Sequence, residues 1–143
     1  MSDVEEMVVL KDVHKAFKGH VILDGINLNI KKGETVVILG GSGSGKSVTL
    51  KHIVRLLLPD KGQIFIDGQE ISKKMTSPEI FEYRKKIGYL FQSGALINWL
   101  SVYDNIALPL RENTHLSEKE IKIRINEKLK LLELEKAVHK FPS

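Results

Sequence analysis

Hydrophobic and polar positions along the chain change period several times. Met7 to Val13 is apolar enough for a first strand. Val21 to Ile30 alternates, Leu28 and Ile30 against Asn27 and Asn29, which predicts a half-buried second strand. Lys32-Gly33 reads as a turn. Within Glu34 to Leu39 the β-branched run Thr35-Val36-Val37-Ile38 predicts a strand buried on both faces. Glycines and serines follow, and then the period lengthens. Leu50, Ile53, Val54 and Leu57 fall at helical spacing on one stripe, with Pro59 as the stop.

Gly62 to Asp67 reads as a further strand ending in an Asp67-Gly68 turn. Ser77-Pro78-Glu79 opens a helix, with a cap, a proline in the first turn and an acid at the positive end. Ile87 to Phe91 is again strand-like. After Ser101 strand signals stop. Ser117 and Glu120 form a capping box for a helix striped by Ile121, Ile125, Leu129 and Leu132. The predicted order is a β-rich front, a strand–loop–helix unit and an all-helical tail, an α/β chain without internal repeats.

Composition narrows the chemistry. The 143 residues fit one domain, and the absence of cysteine excludes disulfides and cysteine-based metal sites or catalysis. The net charge of +4 could suit nucleic acid, but the lysines are interspersed with glutamates, as in Glu118-Lys119-Glu120, so a solvated mixed-charge face is expected and no nucleic-acid partner. No apolar run is long enough to span a bilayer, and the acidic start (Asp3, Glu5, Glu6) does not suit a secretory signal.

The residues that carry chemistry are Gly40-Gly41-Ser42-Gly43-Ser44-Gly45-Lys46-Ser47, which satisfy G-x-x-x-x-G-K-[ST] at every required position. Glycines let the backbone wrap its N–H groups around an anion, and a helix starting near Gly45 aims its positive end at the same place. Lys46 is expected to reach the β- and γ-phosphates of a nucleotide, and the Ser47 hydroxyl to ligate Mg2+. A buried strand before and a helix after is the context that such a loop requires.

Along its whole length the sequence resembles the nucleotide-binding domain of ABC transporters. Phe17, in His14-Lys15-Ala16-Phe17-Lys18-Gly19, stands where that family places an aromatic that stacks on adenine. Gln92, after Gly88-Tyr89-Leu90-Phe91, matches the family's Q-loop, whose glutamine contacts Mg2+ and the nucleophilic water and couples the site to the transmembrane partner. Gly40 to Val48, Phe91-Gln92-Ser93-Gly94-Ala95-Leu96 and Val102 to Glu112 are similar to the Mla (lipid asymmetry, toluene tolerance) type of phospholipid-transport ATPase. Ile97-Asn98-Trp99-Leu100 departs from the usual aromatic followed by acidic or small polar residues.

The resemblance implies a P-loop NTPase fold corresponding to the N-terminal half of an ABC domain: an antiparallel β subdomain and P-loop core over 1–92, and the Q-loop with the start of the helical subdomain over 93–143. It implies ATP and Mg2+ as ligands, held by Phe17, residues 40–48 and Gln92, with Lys46 and Gln92 as catalytic contributors. It also implies transmembrane permease subunits and a second ATPase subunit, head to tail, as partners, on the cytoplasmic face of the inner membrane. Phe141-Pro142-Ser143 matches the tripeptide that leads into the family's signature, so the chain is expected to stop before the signature and the acidic magnesium-binding strand.

Two imitations of that strand, Val21-Ile22-Leu23-Asp24 and Ile64-Phe65-Ile66-Asp67, are each followed by glycine rather than glutamate, so both aspartates are expected in turns. His14, His20, His52, His115 and His139 show no metal-ligand spacing and no acidic partner at a fixed offset. Two functional readings remain: an ATPase subunit of a transporter, and a module that binds nucleotide without turning it over.

Overall fold

The structure, a computed structural model, describes residues 5–142. Asp3 and Ser143 lie outside them. The chain divides into two compact units, Met1–Gly88 and Tyr89–Ser143.

The first unit is built on two long strands, β1 (Glu6–Phe17) and β2 (His20–Lys31). Lys18 and Gly19 join them with φ of 49° and 85°, the left-handed pair that a two-residue hairpin turn needs. β1 therefore runs past Val13, the expected end. Helix α1 (Lys46–Ile53) follows, then β3 (Lys61–Ile66) and the short β4 (Gln69–Glu70), joined by the predicted Asp67-Gly68 turn, and α2 (Ser77–Lys85). The sheet is antiparallel in the order β2-β1-β3-β4. Its apolar face supplies Leu10, Val13, Leu23 and Ile64 to a core that Ile71 and Tyr83 complete, with Val48 and Ile53 of α1 packed against it.

Main-chain carbonyls at the end of α1 tie this unit together. The Tyr83 hydroxyl donates to Ile53 O, and Arg84 donates to Arg55 O at 3.0 Å. Arg55, at φ 53°, sends its guanidinium to Ile71 O (2.9 Å) and Lys73 O (3.1 Å). Burial pushes the Tyr83 phenol up to about 12.

Several expectations are corrected here. Residues 34–39 and 87–91 form no strand; Val37 is 73% exposed, and Leu39 and Leu90 lie open as well. β-branched composition favours a strand only where a neighbouring strand accepts its hydrogen bonds, and among the described residues none lies alongside either segment. The helix expected to run to Pro59 ends at Ile53, where Arg55 turns left-handed to make its tertiary bonds. Its buried positions are Thr49 and His52, while Leu50 of the apolar stripe is exposed. The α2 cap is Thr76, one residue earlier than expected, in a capping box with Glu79. Asp24 lies within β2, not in a turn.

The second unit contains α3 (Val102–Asn113), α4 (Glu118–Leu131) and a 3-10 turn at Glu135–Ala137. The predicted Ser117/Glu120 box starts α4, and Ile121, Ile125 and Leu129 pack with Ala107 of α3. Leu132, expected on that stripe, follows the helix end and is exposed. Arg111 of α3 grips Glu118 of α4 with two bonds of 2.8 Å, and also reaches Asp104 at 3.3 Å. Among the described residues no helix is long and apolar enough to cross a membrane.

Candidate functional site: a phosphate loop at the start of α1

Residues 40–47 curl around one ammonium group. Lys46 Nζ donates to Gly40 O at 2.8 Å and Gly41 O at 2.6 Å, and lies 3.4 Å from Ser44 Oγ. Ser44 N–H closes a turn onto Gly41 O at 3.3 Å. Gly43 (φ 79°) and Gly45 (φ 88°) take left-handed conformations that reverse the chain at low steric cost.

Gly45 is needed twice over. It is buried, and a Cβ there would stand 2.8 Å from Leu23 Cδ2 and 3.0 Å from Ile22 O, so the loop is pinned against β2. From Gly45 the chain enters α1: Thr49 N–H and Thr49 Oγ1 both donate to Gly45 O, at 2.8 and 3.1 Å.

The start of α1 differs from the other helix starts. α2, α3 and α4 are capped by the hydroxyls of Thr76, Ser101 and Ser117, each with an acid in the first turn. At α1 the N-cap is Gly45, with no side-chain cap and no acid. The first-turn N–H groups and the helix dipole are thereby left to an outside anion. Ser42, Ser44 and Ser47 are exposed, and Val48 is half-buried. A cavity of about 310 Å³ lies beside Lys46 and Ser47, walled by Ile30, Val36, Ile38 and Leu50. A larger one, about 440 Å³, is lined by Met7, Val8, Ile66 and Tyr83 and includes no residue of the loop.

The residue types and backbone fit a nucleotide phosphate chain with Mg2+: a lysine ammonium held inside the loop, glycines where side chains would obstruct, and an exposed Ser47 hydroxyl one residue on. Phe17 stands at the tip of the β1–β2 hairpin, 41% exposed, with Lys15 Nζ 5.4 Å from its ring centre. Gln92, in the second unit, is exposed in a turn closed by Gly94 N–H on Phe91 O at 2.9 Å.

In that second unit the sequence concealed one device. The Asn105 side chain accepts from Ile97 N–H at 2.8 Å, and its amide nitrogen lies 3.0 Å from each of Ile97 O, Leu100 O and Ser101 O. One side chain thus sets the 97–101 loop, on which Trp99 is 80% exposed. A lone asparagine at the start of a helix gives no signal of this in sequence.

The histidines carry a correction as well. His14, expected to have no acidic partner at a fixed offset, lies 2.9 Å from Asp12, two residues earlier on β1, and 3.2 Å from Asp24 across the hairpin. Only the Asp24 pairing crosses the sheet, where no fixed offset in sequence applies. His52 is buried, its Nδ1 2.7 Å from Val48 O. Among the described residues no group of histidines and acids could hold a metal by itself.

By class, this is an α/β chain with a P-loop. A protein-family profile described as ABC transporter matches residues 23–142. The chain belongs to that family. It is 40% identical, over 97% of its length and 52% of the relative's, to a Haemophilus influenzae protein named intermembrane phospholipid transport system ATP-binding protein MlaF. It is 43% identical, over 94% of its length and 39% of the relative's, to a Mycobacterium leprae protein named as a probable ribonucleotide transport ATP-binding protein. A solved dimeric ATP-binding cassette, bound to ADP and Pi after hydrolysis, superposes with a TM-score of 0.86 at 38% identity, covering 95% of this chain and 62% of that one. The chain spans about half the length of the curated relatives it matches.

Proposed function

We propose that this chain is the nucleotide-gripping part of an ABC transporter subunit that couples ATP hydrolysis to phospholipid movement at the inner membrane. The observation that carries the nucleotide reading is the loop at the uncapped start of α1, curled around Lys46 Nζ. In this reading the amides of residues 40–48 surround the phosphates, Lys46 neutralises the β- and γ-phosphates, and Phe17 receives the adenine. In the first unit Ser47 would hold Mg2+, and in the second Gln92 is the side chain that would contact it and orient the attacking water. Mg2+, when bound, would supply positive charge that offsets the negative charge developing on the phosphates.

Phospholipid as cargo is supported by the Haemophilus relative, whose name specifies it, while the mycobacterial name specifies another cargo. In the second unit, the Asn105-clamped loop offers Trp99 as a contact for a transmembrane permease subunit on the cytoplasmic face, since exposed tryptophans on preformed loops make strong interface anchors. A second ATPase subunit would complete the site, a reading supported by the dimeric state of the solved cassette.

A second reading, nucleotide binding without turnover, is favoured by one observation. The aspartates that end apolar runs, Asp24 and Asp67, are each followed in sequence by glycine rather than by an acid that could activate water. Titration of the chain with MgATP, alongside a sensitive phosphate-release assay, separates the readings. Binding that depends on Lys46, without release above background, is expected of this chain alone. Release abolished by Lys46→Met would show that it carries a complete hydrolytic site, and binding indifferent to Lys46→Met would remove the nucleotide reading itself.

A further inference from the structure

Phe17 needs support, because the sheet leaves it behind. β1 pairs with β3 only as far as His14 opposite Lys61, while Phe17 is on the last rung of the hairpin, opposite His20. A ribbon of two strands is marginal by itself. Asp60, the residue just before β3, takes over where that ladder stops. Its N–H donates to His14 O at 2.9 Å, and its carboxylate accepts from Ala16 N–H at 2.8 Å and from Lys15 Nζ at 2.7 Å. Lys15 is mostly covered, 16% exposed, and its ammonium stands over one face of the Phe17 ring. The Lys15 hydrogen bond, and after it the Ala16 amide, hold the Asp60 carboxyl below the usual carboxylate range.

We propose that Asp60 is a positioning residue for the nucleobase: through Lys15 and the Ala16 amide it fixes the Phe17 ring, with the Lys15 ammonium on one face and the other face left for a purine. This rests on the reading of Phe17 as the base platform. A flat ring with one face occupied by a cation stacks a base in a single register. Charge-assisted bonds from a carboxylate hold that geometry more firmly than a ladder of neutral bonds would.

The test compares two ligands of the same loop: MgATP, and magnesium tripolyphosphate, which has the phosphates but no base. Dissociation constants are measured calorimetrically for the full chain and for Asp60→Asn, Lys15→Arg, Phe17→Ala and the Phe17→Ala/Asp60→Asn pair. Asp60→Asn should weaken MgATP about tenfold and leave tripolyphosphate unchanged. The sign discriminates, because removing a negative charge would by simple Coulomb attraction strengthen both anions. Lys15→Arg, which keeps the cation, should stay close to the unsubstituted chain, and Asp60→Asn should add nothing once Phe17 is alanine. Equal losses for both ligands, no loss for MgATP, or additive losses in the pair would each overturn the proposal. If the unsubstituted chain binds tripolyphosphate as tightly as ATP, the base platform itself is wrong. If it binds neither, the phosphate-loop reading has failed and takes this inference with it.

Discussion

Gly45 and Leu23 approach so closely that a Cβ on the glycine would stand 2.8 Å from the leucine's Cδ2. This contact joins the P-loop to the hairpin, because Leu23 is itself a core residue of β2. Gly45→Ala must therefore push Leu23 or the Ile22 carbonyl aside, and must hold an L-residue at φ 88°. The left-handed backbone alone costs about 1–2 kcal/mol. A lower melting temperature and a loss of nucleotide affinity are expected together. An alanine variant that melts and binds like the original would show that the loop is not seated as described.

Lys46 behaves differently, since its side chain bonds only to its own loop. Lys46→Met should leave the melting temperature within a few degrees while weakening MgATP by about tenfold or more. Calorimetric titration checks the affinity and circular dichroism the fold.

Asn105→Ala removes the clamp on the 97–101 loop and leaves the Ile97 N–H without its acceptor. A cost of about 2 kcal/mol in the second unit is expected. The chain has one tryptophan, so fluorescence reports on this loop alone. The Trp99 emission and its quenching by iodide should both change in the variant, with the P-loop's affinity for tripolyphosphate unaltered.

Acid should weaken both units. Lys15 holds the Asp60 carboxyl low, the Thr76 amide holds Glu79, the Ser101 hydroxyl holds Asp104, Arg111 holds Glu118 and the Ser117 hydroxyl holds Glu120. Groups whose folded pKa is depressed bind fewer protons when folded. Their contribution is complete above the ordinary carboxylate range, about pH 4, and is lost as pH falls through the folded values. Tyr83 has the opposite sign: raised from 10.0 to about 12, it favours the fold below pH 10 and loses that contribution as pH rises towards 12. Thermal melts from pH 2 to 12 should show a plateau between these limits. A melting temperature that rises below pH 4 would contradict these assignments.

How far these features could be read from sequence depends on how local their causes are. The strands over Met7 to Val13 and Val21 to Ile30, the Asp67-Gly68 turn and the Ser117 box rest on apolar runs, alternation, turn residues and fixed spacing, and are legible along the chain, whereas the Lys18-Gly19 turn that joins the first two strands is not. The β-branched composition of residues 34–39 points to a strand, yet a strand requires a partner, which composition cannot supply. The α1 stripe differs for a similar reason: Leu50 has the right spacing, but the surface that α1 meets takes Thr49 and His52 instead. The Asp60 to Ala16 bond, the His14–Asp24 pair and the Asn105 clamp depend on which residues the fold brings together, and no pattern along the chain encodes them.

The most direct test of the central claim is amide chemical-shift mapping of the 15N-labelled chain during titration with magnesium tripolyphosphate. The amides of Gly41, Gly43, Gly45, Lys46 and Ser47 should move first and furthest, with Lys46→Met abolishing the response. Shifts centred elsewhere, or a loop that stays silent at saturating ligand, would contradict the account.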